Sequence, residues 1–284
     1  MKKIKDQNFP SERALYGADG LLLENCTFAG EEDGESALKE ASHVELEHCF
    51  MDLRYPLWHN RAVNLRGCEM TVNCRAALWY TEDVGITDST LGGIKALREC
   101  RKVRMKNTKV TSPEFGWRSR DIRAENCELE GEYPFLMAGE LVFDRIALHG
   151  KYSFQYVENA VIEHAVLDTK DAFWHSKNVT VRDSVIRGEY LAWYAEGLTL
   201  ERCRIIGTQP LCYCTGLTLI DCEMQDTDLA FEYSDVTATV KGEILSVKNP
   251  RSGSITADAV GEILLTDDSK YECRCTIIER NKAK

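Results

Sequence analysis

The stretch Val179-Thr-Val-Arg-Asp-Ser-Val-Ile-Arg-Gly-Glu-Tyr-Leu-Ala-Trp-Tyr-Ala-Glu-Gly197 contains one complete copy of a unit that recurs along the chain. The unit has apolar residues at its first, third and eighth positions and a small residue at its sixth position, and any residue can stand between them. From Val84 to Ile255 its first residue recurs every 19 residues, nine times in succession. Chance matches would drift, so the period identifies a repeat protein.

The unit predicts a strand followed by turns. Its apolar positions alternate with polar ones at a period of two, which is typical of a β-strand. Nineteen residues are too few for two packed helices, and the unit lacks the asparagine signature of leucine-rich repeats. We therefore predict an all-β protein, a single-stranded right-handed parallel β-helix of about 13 coils of 19 residues.

Two positions of the unit predict tight turns. Asn or Asp precedes the small residue in half of the coils, and both tolerate a left-handed backbone: Asn25, Asp88, Asn107, Asn126, Asp183 and Asp221. A second turn position holds a glycine, for which we expect positive φ, in Gly93, Gly131, Gly150, Gly188 and Gly207.

The domain organisation follows from where the period holds. We predict one β-helix domain over residues 1–284, with regular coils over 21–266. Residues 1–20 and 267–284 break the period, and we expect an N-terminal cap and a C-terminal cap or tail, because an open end exposes an unpaired strand edge.

Composition and charge exclude several classes of partner. The net charge of −11 disfavours nucleic acid, because phosphates require clustered Lys and Arg, and it disfavours an anionic membrane surface. No apolar run reaches the roughly 20 residues of a membrane span. The N-terminus leads into no apolar segment of a secretory signal, so we expect a cytoplasmic protein.

The twelve cysteines predict buried packing and no metal or cofactor. The chain has no Cys-x-x-Cys, so ordinary zinc and iron–sulfur spacings are absent. Six cysteines occupy the small position of the unit, where Ser, Thr or Ala stands in other coils: Cys26, Cys49, Cys68, Cys127, Cys203 and Cys222. This interchange indicates a small buried side chain.

All five tryptophans occupy one position, five residues before the first residue of the unit. Lys39, Arg98 and Gln155 share this position, so we expect it to point outward. Aromatic and polar residues follow it in most coils, and an exposed aromatic face of this kind is typical of an interaction site. The predicted ligand-binding residues are Trp58, His59, Trp79, Tyr80, Arg98, Trp117, Arg118, Tyr156, Trp174, His175, Trp193, Tyr194, Tyr213 and Glu232. The alternative is a ladder of stacked aromatics that stabilises the fold.

Catalysis has a weaker signal. Asp171 and Glu189 lie on neighbouring coils beside Trp174 and Trp193, and paired carboxylates carry out glycoside chemistry. We treat them as the candidate catalytic pair. The sequence contains no Gly-x-Ser-x-Gly elbow and no phosphate-binding glycine loop, so these two motifs assign no reaction.

The chain resembles the pectate-lyase-like superfamily of right-handed β-helices. It more closely resembles an uncharacterised bacterial family of single-stranded β-helices, a domain of unknown function, over nearly its whole length. The stretches that carry this resemblance are 11–17, 35–40, 55–58, 77–80, 171–174, 188–193, 209–213 and 229–234. The resemblance implies the fold and no established activity.

Two activities of related proteins lack support in this sequence. Polygalacturonase-like enzymes have Asn-Thr-Asp, Asp-Asp, Gly-His-Gly and Arg-Ile-Lys motifs, and here only Asp267-Asp268 occurs, in the terminal segment. Some relatives are labelled hydrogenases, but the chain lacks the cysteine spacing of an iron–sulfur site. We disfavour both activities.

Three functions remain open. The leading hypothesis is a module that binds an extended oligosaccharide along the tryptophan face, where alanine at Trp174 and Trp193 should abolish binding and preserve the fold. The alternatives are a structural rod that binds a protein partner and a carbohydrate-active lyase or glycosidase that uses Asp171 and Glu189. The sequence specifies no oligomeric state.

Overall fold

The computed structural model describes residues 1–30 and 34–281. The chain is an all-β parallel β-solenoid of about 14 turns of about 19 residues, which confirms the predicted fold class. It divides into two compact units, Met1–Ala147 and Leu148–Lys284. The assignment of caps and regular coils to one domain stays a prediction.

The first unit stacks its long strands in parallel and in register. Val44 pairs with Val63, Val63 with Val84, and Val84 with Val103, so the repeating unit of the sequence is one coil. A short 3-10 helix spans Val72–Cys74. The strands of this part of the chain are β1 (Lys2–Lys5), β2 (Asp19–Glu24), β3 (Thr27–Phe28), β4 (Ser42–Glu47), β5 (Phe50–Met51), β6 (Leu57–Trp58), β7 (Arg61–Arg66), β8 (Glu69–Met70), β9 (Leu78–Trp79), β10 (Glu82–Thr87), β11 (Thr90–Leu91), β12 (Leu97–Arg98), β13 (Arg101–Lys106), β14 (Lys109–Thr111), β15 (Arg120–Gly131) and β16 (Gly139–Lys151).

The second unit continues the same pairing. Ala160 pairs with Val179, and Leu217 pairs with Val236. The register between β23 and β24 then shifts between Leu219 and Cys222. The last strand pairs with β26. The remaining strands are β17 (Glu158–Glu163), β18 (Val166–Lys170), β19 (Lys177–Arg182), β20 (Val185–Arg187), β21 (Thr199–Glu201), β22 (Arg204–Ile206), β23 (Leu217–Gln225), β24 (Asp235–Lys241), β25 (Glu243–Lys248), β26 (Ser252–Ala257), β27 (Ala259–Leu264) and β28 (Arg274–Glu279).

The interior of each unit is a set of stacked apolar columns. Leu57, Leu78 and Leu97 are fully buried in the first unit. In the second, Phe154 and Phe173 stack with ring centroids 4.8 Å apart. The positions immediately before the tryptophan position are therefore filled by buried apolar side chains.

The asparagine and aspartate turns have the predicted left-handed backbone. Asn107 and Asn126 have φ of 49° and 54°, and their side chains form a ladder in which Asn126 Nδ2 donates to Asn107 Oδ1 at 2.8 Å. Asn107 Nδ2 in turn donates to Asp88 Oδ1 at 2.9 Å. These residues supply both the turn geometry and a hydrogen bond between coils.

The glycine turn position has the predicted positive φ in three of its five coils, at Gly93, Gly188 and Gly207. Gly93 has φ of +108° as expected, but Gly131 and Gly150 lie in β15 and β16 without positive φ. A Cβ on Gly131 would lie 2.6 Å from the carbonyl oxygen of Ser112. Close approach to the preceding coil therefore requires glycine there.

The small buried position holds thiols and hydroxyls that donate to backbone carbonyls. Cys203 Sγ lies 3.3 Å from the carbonyl oxygen of Val181 in the preceding coil, and Ser184 Oγ donates to the Arg182 carbonyl at 2.6 Å. All twelve cysteines are free thiols, and ten of them are buried. Both small volume and a weak donor suit the position.

Candidate functional site

In the first unit, an inner row and an outer row of side chains line one turn of the coils. We define the inner row as Trp58, Trp79, Arg98 and Trp117. Strands β6, β9 and β12 pair so that Trp58 lies opposite Trp79 and Trp79 opposite Arg98. The Trp58 and Trp79 rings stack at 5.4 Å. The Arg98 guanidinium lies 4.7 Å from the Trp79 ring and 5.7 Å from the Trp117 ring, between the two indoles. These contacts are cation–π interactions.

The outer row of the first unit is mixed in character. It comprises His59, Tyr80, Glu99 and Arg118, each the residue after a member of the inner row, and all have left-handed φ between 50° and 58°. His59 and Tyr80 stack at 4.9 Å. Glu99 receives a hydrogen bond from Arg98 at 3.3 Å, so the aromatic stack ends after two rings.

The second unit carries a longer aromatic row. Its inner row is Gln155, Trp174 and Trp193, and the two indoles are nearly parallel at 5.3 Å. Its outer row, which we call the aromatic row, consists of Tyr156, His175, Tyr194 and Tyr213. Successive centroids in this row are 4.9, 4.9 and 4.7 Å apart, with interplanar angles of 6°, 5° and 11°. The rings stack face to face, so the row presents its ring edges outward.

Exposure separates the two kinds of row only in part, because His175 and Tyr213 are half-buried like the tryptophans. The five tryptophans are half-buried, whereas Tyr156 and Tyr194 are each 45% exposed. The expectation that the tryptophan position points outward therefore describes the residue after it more closely. The predicted binding residues are brought together in two separate groups, one in each unit.

The tryptophans also bond the coils to one another. Trp117 Nε1 donates to the Tyr133 carbonyl at 2.7 Å, and Trp193 Nε1 donates to the Gln209 carbonyl at 2.8 Å. Gln155, in the same position, donates from Nε2 to the Asp171 carbonyl at 3.1 Å. In these coils the position provides an N–H donor, whereas Leu136 occupies it in another coil without one. These bonds give the inner row a structural role.

Trp58 and Trp79 of the first unit differ in this hydrogen bond from the other three tryptophans, Trp117, Trp174 and Trp193. Among the described residues, the buried Nε1 atoms of Trp58 and Trp79 have no hydrogen-bond partner. Stacking alone holds these two indoles, with the Lys39 ammonium 4.9 Å from the Trp58 ring.

Glu232 is not in the outer row, contrary to its assignment from the 19-residue period. Tyr233 has the left-handed φ of the row, 56°, and its ring lies 5.9 Å from that of Tyr213. Twenty residues separate Tyr213 from Tyr233, whereas 19 separate the paired Leu217 and Val236. The connection before β24 is therefore one residue shorter, and the period could not reveal this shift.

Glu232 instead sets the electrostatics at the end of the aromatic row. It accepts a hydrogen bond from Tyr213 Oη at 3.5 Å and pairs with Lys248 Nζ at 2.9 Å. Burial raises the pKa of Tyr213 to about 12, and the Glu232 carboxylate adds to the rise. The Tyr213 phenol is consequently a neutral hydrogen-bond donor at physiological pH.

Asp171 and Glu189 both form an ion pair with Lys170. Lys170 Nζ lies 3.8 Å from Asp171 Oδ2 and 3.7 Å from Glu189 Oε2. Asp171 is buried while Glu189 is exposed. Burial raises the pKa of Asp171; the Lys170 ammonium opposes the rise and the Glu189 carboxylate adds to it. Two carboxylates in such different environments can serve as acid and base.

Within residues 1–30 and 34–281, no group of three or more His, Cys, Asp or Glu is placed to hold a metal ion. The same part of the chain contains no helix with the length and hydropathy of a membrane span.

The chain belongs to the family described as "Protein of unknown function (DUF3737)", whose model matches residues 2–278. This confirms the resemblance to a family of unknown function that the sequence showed. A search of curated proteins finds no match.

Solved structures share the β-helix architecture at low identity. The A-module of a mannuronan C-5 epimerase from Azotobacter vinelandii is 11% identical, with 84% of this chain and 89% of that chain covered and a TM-score of 0.43. A surface protein and adhesin of Streptococcus pneumoniae is 8% identical, with 92% of each chain covered and a TM-score of 0.35. A periplasmic alginate epimerase is 8% identical, with 91% and 76% covered and a TM-score of 0.29. These likenesses concern the fold alone.

Proposed function

We propose that this DUF3737 protein binds an extended carbohydrate chain along the aromatic row of its second unit. The observation that carries the proposal is the regular stack of Tyr156, His175, Tyr194 and Tyr213, with one ring edge per coil. Such a row offers the same kind of contact at each strand spacing of about 4.8 Å. A linear polymer with its own repeat can use several of these contacts together, which a compact ligand cannot.

The contacts in the row favour a hydroxyl-rich ligand. Because the ring faces cover one another, a ligand meets phenol and imidazole edges, which donate and accept hydrogen bonds. Charged groups lie next to the row, including the Lys177–Glu196 pair at 3.4 Å. A small number of polar groups on a largely apolar surface is typical of sites that orient a ligand.

The direct test is binding of a neutral and an acidic oligosaccharide panel by calorimetry, with Tyr194→Ala as the variant. Tyr194 is 45% exposed and makes no side-chain hydrogen bond to another described residue, so its removal should spare the fold. We expect binding to weaken roughly two- to tenfold, because one hydrogen bond at a ring edge contributes about 0.5–1.5 kcal/mol.

Tyr80→Ala is the matched control. Tyr80 occupies the equivalent position in the first unit, is 42% exposed and has the same left-handed backbone. Equal loss of binding in the two variants, or unchanged affinity in Tyr194→Ala, would contradict the proposal. Binding of a protein partner through the row, with no affinity for any oligosaccharide, would favour the interaction rod instead.

A second candidate function is acid–base chemistry on the bound chain. It rests on the buried Asp171 and the exposed Glu189, held by the Lys170 ammonium that both contact. The assay is release of reducing or unsaturated ends from each bound oligosaccharide. Loss of product in both Asp171→Asn and Glu189→Gln, with binding retained, would support an enzyme. As much product from either variant as from the unaltered protein would exclude the pair.

A further inference from the structure

Two of the twelve cysteines differ from the rest in their surroundings. Cys273 and Cys275 are half-exposed, whereas the other ten are buried. They form one of the two Cys-x-Cys sequences of the chain, and the other is Cys212-x-Cys214, whose cysteines are 1% and 0% exposed. Packing in the core therefore accounts for the second sequence and leaves the first without an explanation.

The two half-exposed thiols lie on one side of the last strand. β28 begins at Arg274, and half-exposed residues alternate with exposed ones from Cys273 to Glu279. Successive side chains of a strand point to opposite faces, so Cys273 and Cys275 share a face with one residue between them. Cys273 Sγ lies 3.9 Å from the carbonyl oxygen of Cys275, which places this thiol beside the second cysteine.

Both thiols make long hydrogen bonds. Cys275 Sγ lies 3.9 Å from the Thr276 carbonyl oxygen, the same separation as the contact of Cys273. The buried Cys214 Sγ, by contrast, lies 3.1 Å from the Ala192 carbonyl oxygen. A thiol is a weak donor even at short range, so exchanging the proton of Cys273 or Cys275 for a cation sacrifices little hydrogen bonding.

The strand pairing gives Cys275 no stacked side chain at the paired position of the preceding coil. Cys275 pairs with Gly253 of β26, which has no side chain, whereas the neighbouring Ile277 pairs with Ile255. A ligand at Cys275 therefore displaces no side chain from that position.

The number of available ligands decides the class of metal. Structural zinc takes four protein ligands, and the part of the chain that the structure describes contains no group of three or more His, Cys, Asp or Glu that could hold a metal ion. Soft thiolates select Cu(I), for which two sulfur ligands in a linear arrangement are sufficient. The Cys-x-Cys pair therefore matches Cu(I), although it lacks the ordinary zinc and iron–sulfur spacings.

We propose that Cys273 and Cys275 bind one Cu(I) ion as a two-coordinate thiolate pair. Each thiol releases its proton when it binds the metal. Two neutral thiols and one Cu(I) thus give a complex of charge −1 and two protons, and the copper is neither oxidised nor reduced. The site shares no residue with the aromatic row, so it does not depend on carbohydrate binding.

The experiment measures Cu(I) binding to the folded full chain by competition with bicinchoninate, without oxygen and with ascorbate as the reductant. We expect one Cu(I) per chain. Cys273→Ser and Cys275→Ser should each bind at least about a hundredfold more weakly, because even side chains that only support a metal ligand contribute about 10–100-fold. Both residues are half-exposed and serine retains a donor, so the fold should be preserved.

Cys214→Ser is the matched control, because it interrupts the buried Cys-x-Cys sequence. Serine occupies the equivalent position of other coils in Ser119 and Ser176, and both are fully buried, so this variant should fold and bind Cu(I) like the unaltered protein. Equal loss in Cys214→Ser, or no binding by the unaltered protein, would overturn the proposal.

Two further outcomes would also overturn the two-coordinate site. Retention of Cu(I) by either Cys273→Ser or Cys275→Ser would show that a single thiol is sufficient. X-ray absorption at the copper edge should count two sulfur ligands, and three or more would show a cluster that includes other thiols.

Discussion

The tryptophan side chain performs two tasks in this fold, and only one depends on aromaticity. In Trp193 the ring stacks on Trp174 at 5.3 Å while Nε1 donates to the Gln209 carbonyl at 2.8 Å. Gln155 provides the same kind of donor without a ring. At Trp193 and Gln155 this N–H group satisfies a carbonyl of the next coil, whereas Trp58 and Trp79 stack without such a bond among the described residues.

This division predicts different effects of phenylalanine at two tryptophans. Trp193→Phe retains an aromatic ring and removes the hydrogen bond, so we expect the free energy of unfolding to fall by about 0.5–1.5 kcal/mol. Trp58→Phe removes an Nε1 that has no partner among the described residues, so stability should be unchanged or higher. Urea unfolding of both variants checks this; equal losses would contradict the role of the bond.

Asp171 predicts a pH dependence of stability. Because burial raises its folded-state pKa, the folded protein binds this proton more tightly than the unfolded chain. Its contribution to stability therefore falls as pH rises from the unfolded value, about 3.9, through the higher folded value. Asp171→Asn should be more stable than the unaltered protein at pH 7, and the difference should vanish below pH 3.9. Thermal unfolding across this range measures it; a less stable variant at pH 7 would show that the Lys170 contact dominates.

The sequence revealed less about individual side chains than about their positions. It placed Trp174 and Trp193 in one column, but not their half-burial, which depends on the carbonyls of the next coil. Alanine at these positions is now expected to destabilise the fold, so Tyr194 is the better binding variant.

Among the structural elements, the left-handed turns between strands accept several residue types. Ordinary residues occupy these turns in several coils, for example His48 with φ of 52° and Arg202 with φ of 50°. The strand pairing on both sides enforces the conformation there. Asparagine and aspartate adopt it at lower cost and form the ladder between coils.

Asn126 tests how much of this contribution is conformational. Asn126→Ala places a Cβ at φ of 54° and removes the bond to Asn107, so we expect a loss of about 1–2 kcal/mol. Asn126→Gly removes the same bond but tolerates the backbone, and should lose less. Chemical denaturation compares them; equal losses in the two variants would show that the amide ladder outweighs the turn conformation.

At the level of the whole molecule, the reactivity of the native cysteines reports which positions are buried. Ten of the twelve thiols are buried, and only Cys273 and Cys275 are half-exposed. Burial also raises the pKa of Cys275 to about 11, which lowers its thiolate fraction. We expect at most two thiols to react with Ellman's reagent in the folded protein and all twelve after unfolding. Rapid reaction of more than two would contradict the buried assignment.

The repeat predicted the architecture because every coil repeats the same packing problem. The alternation of buried and exposed positions appears in the sequence from Val84 onward at a constant period. The 3-10 helix at Val72–Cys74 lies before Val84, where the sequence already departs from the 19-residue spacing, whereas the shorter connection before β24 needed coordinates. The latter displaced Glu232 by one residue, and a single slip moves a side chain to another position.

The most direct test of ligand binding along the aromatic row is the dependence of affinity on oligosaccharide length. The row offers one contact per coil from Tyr156 to Tyr213. For the oligosaccharide class that binds, we predict that affinity rises with each added sugar and levels off once the chain spans these four coils. Affinity that is independent of length beyond a single sugar, or no binding by any member of the series, would contradict an extended site.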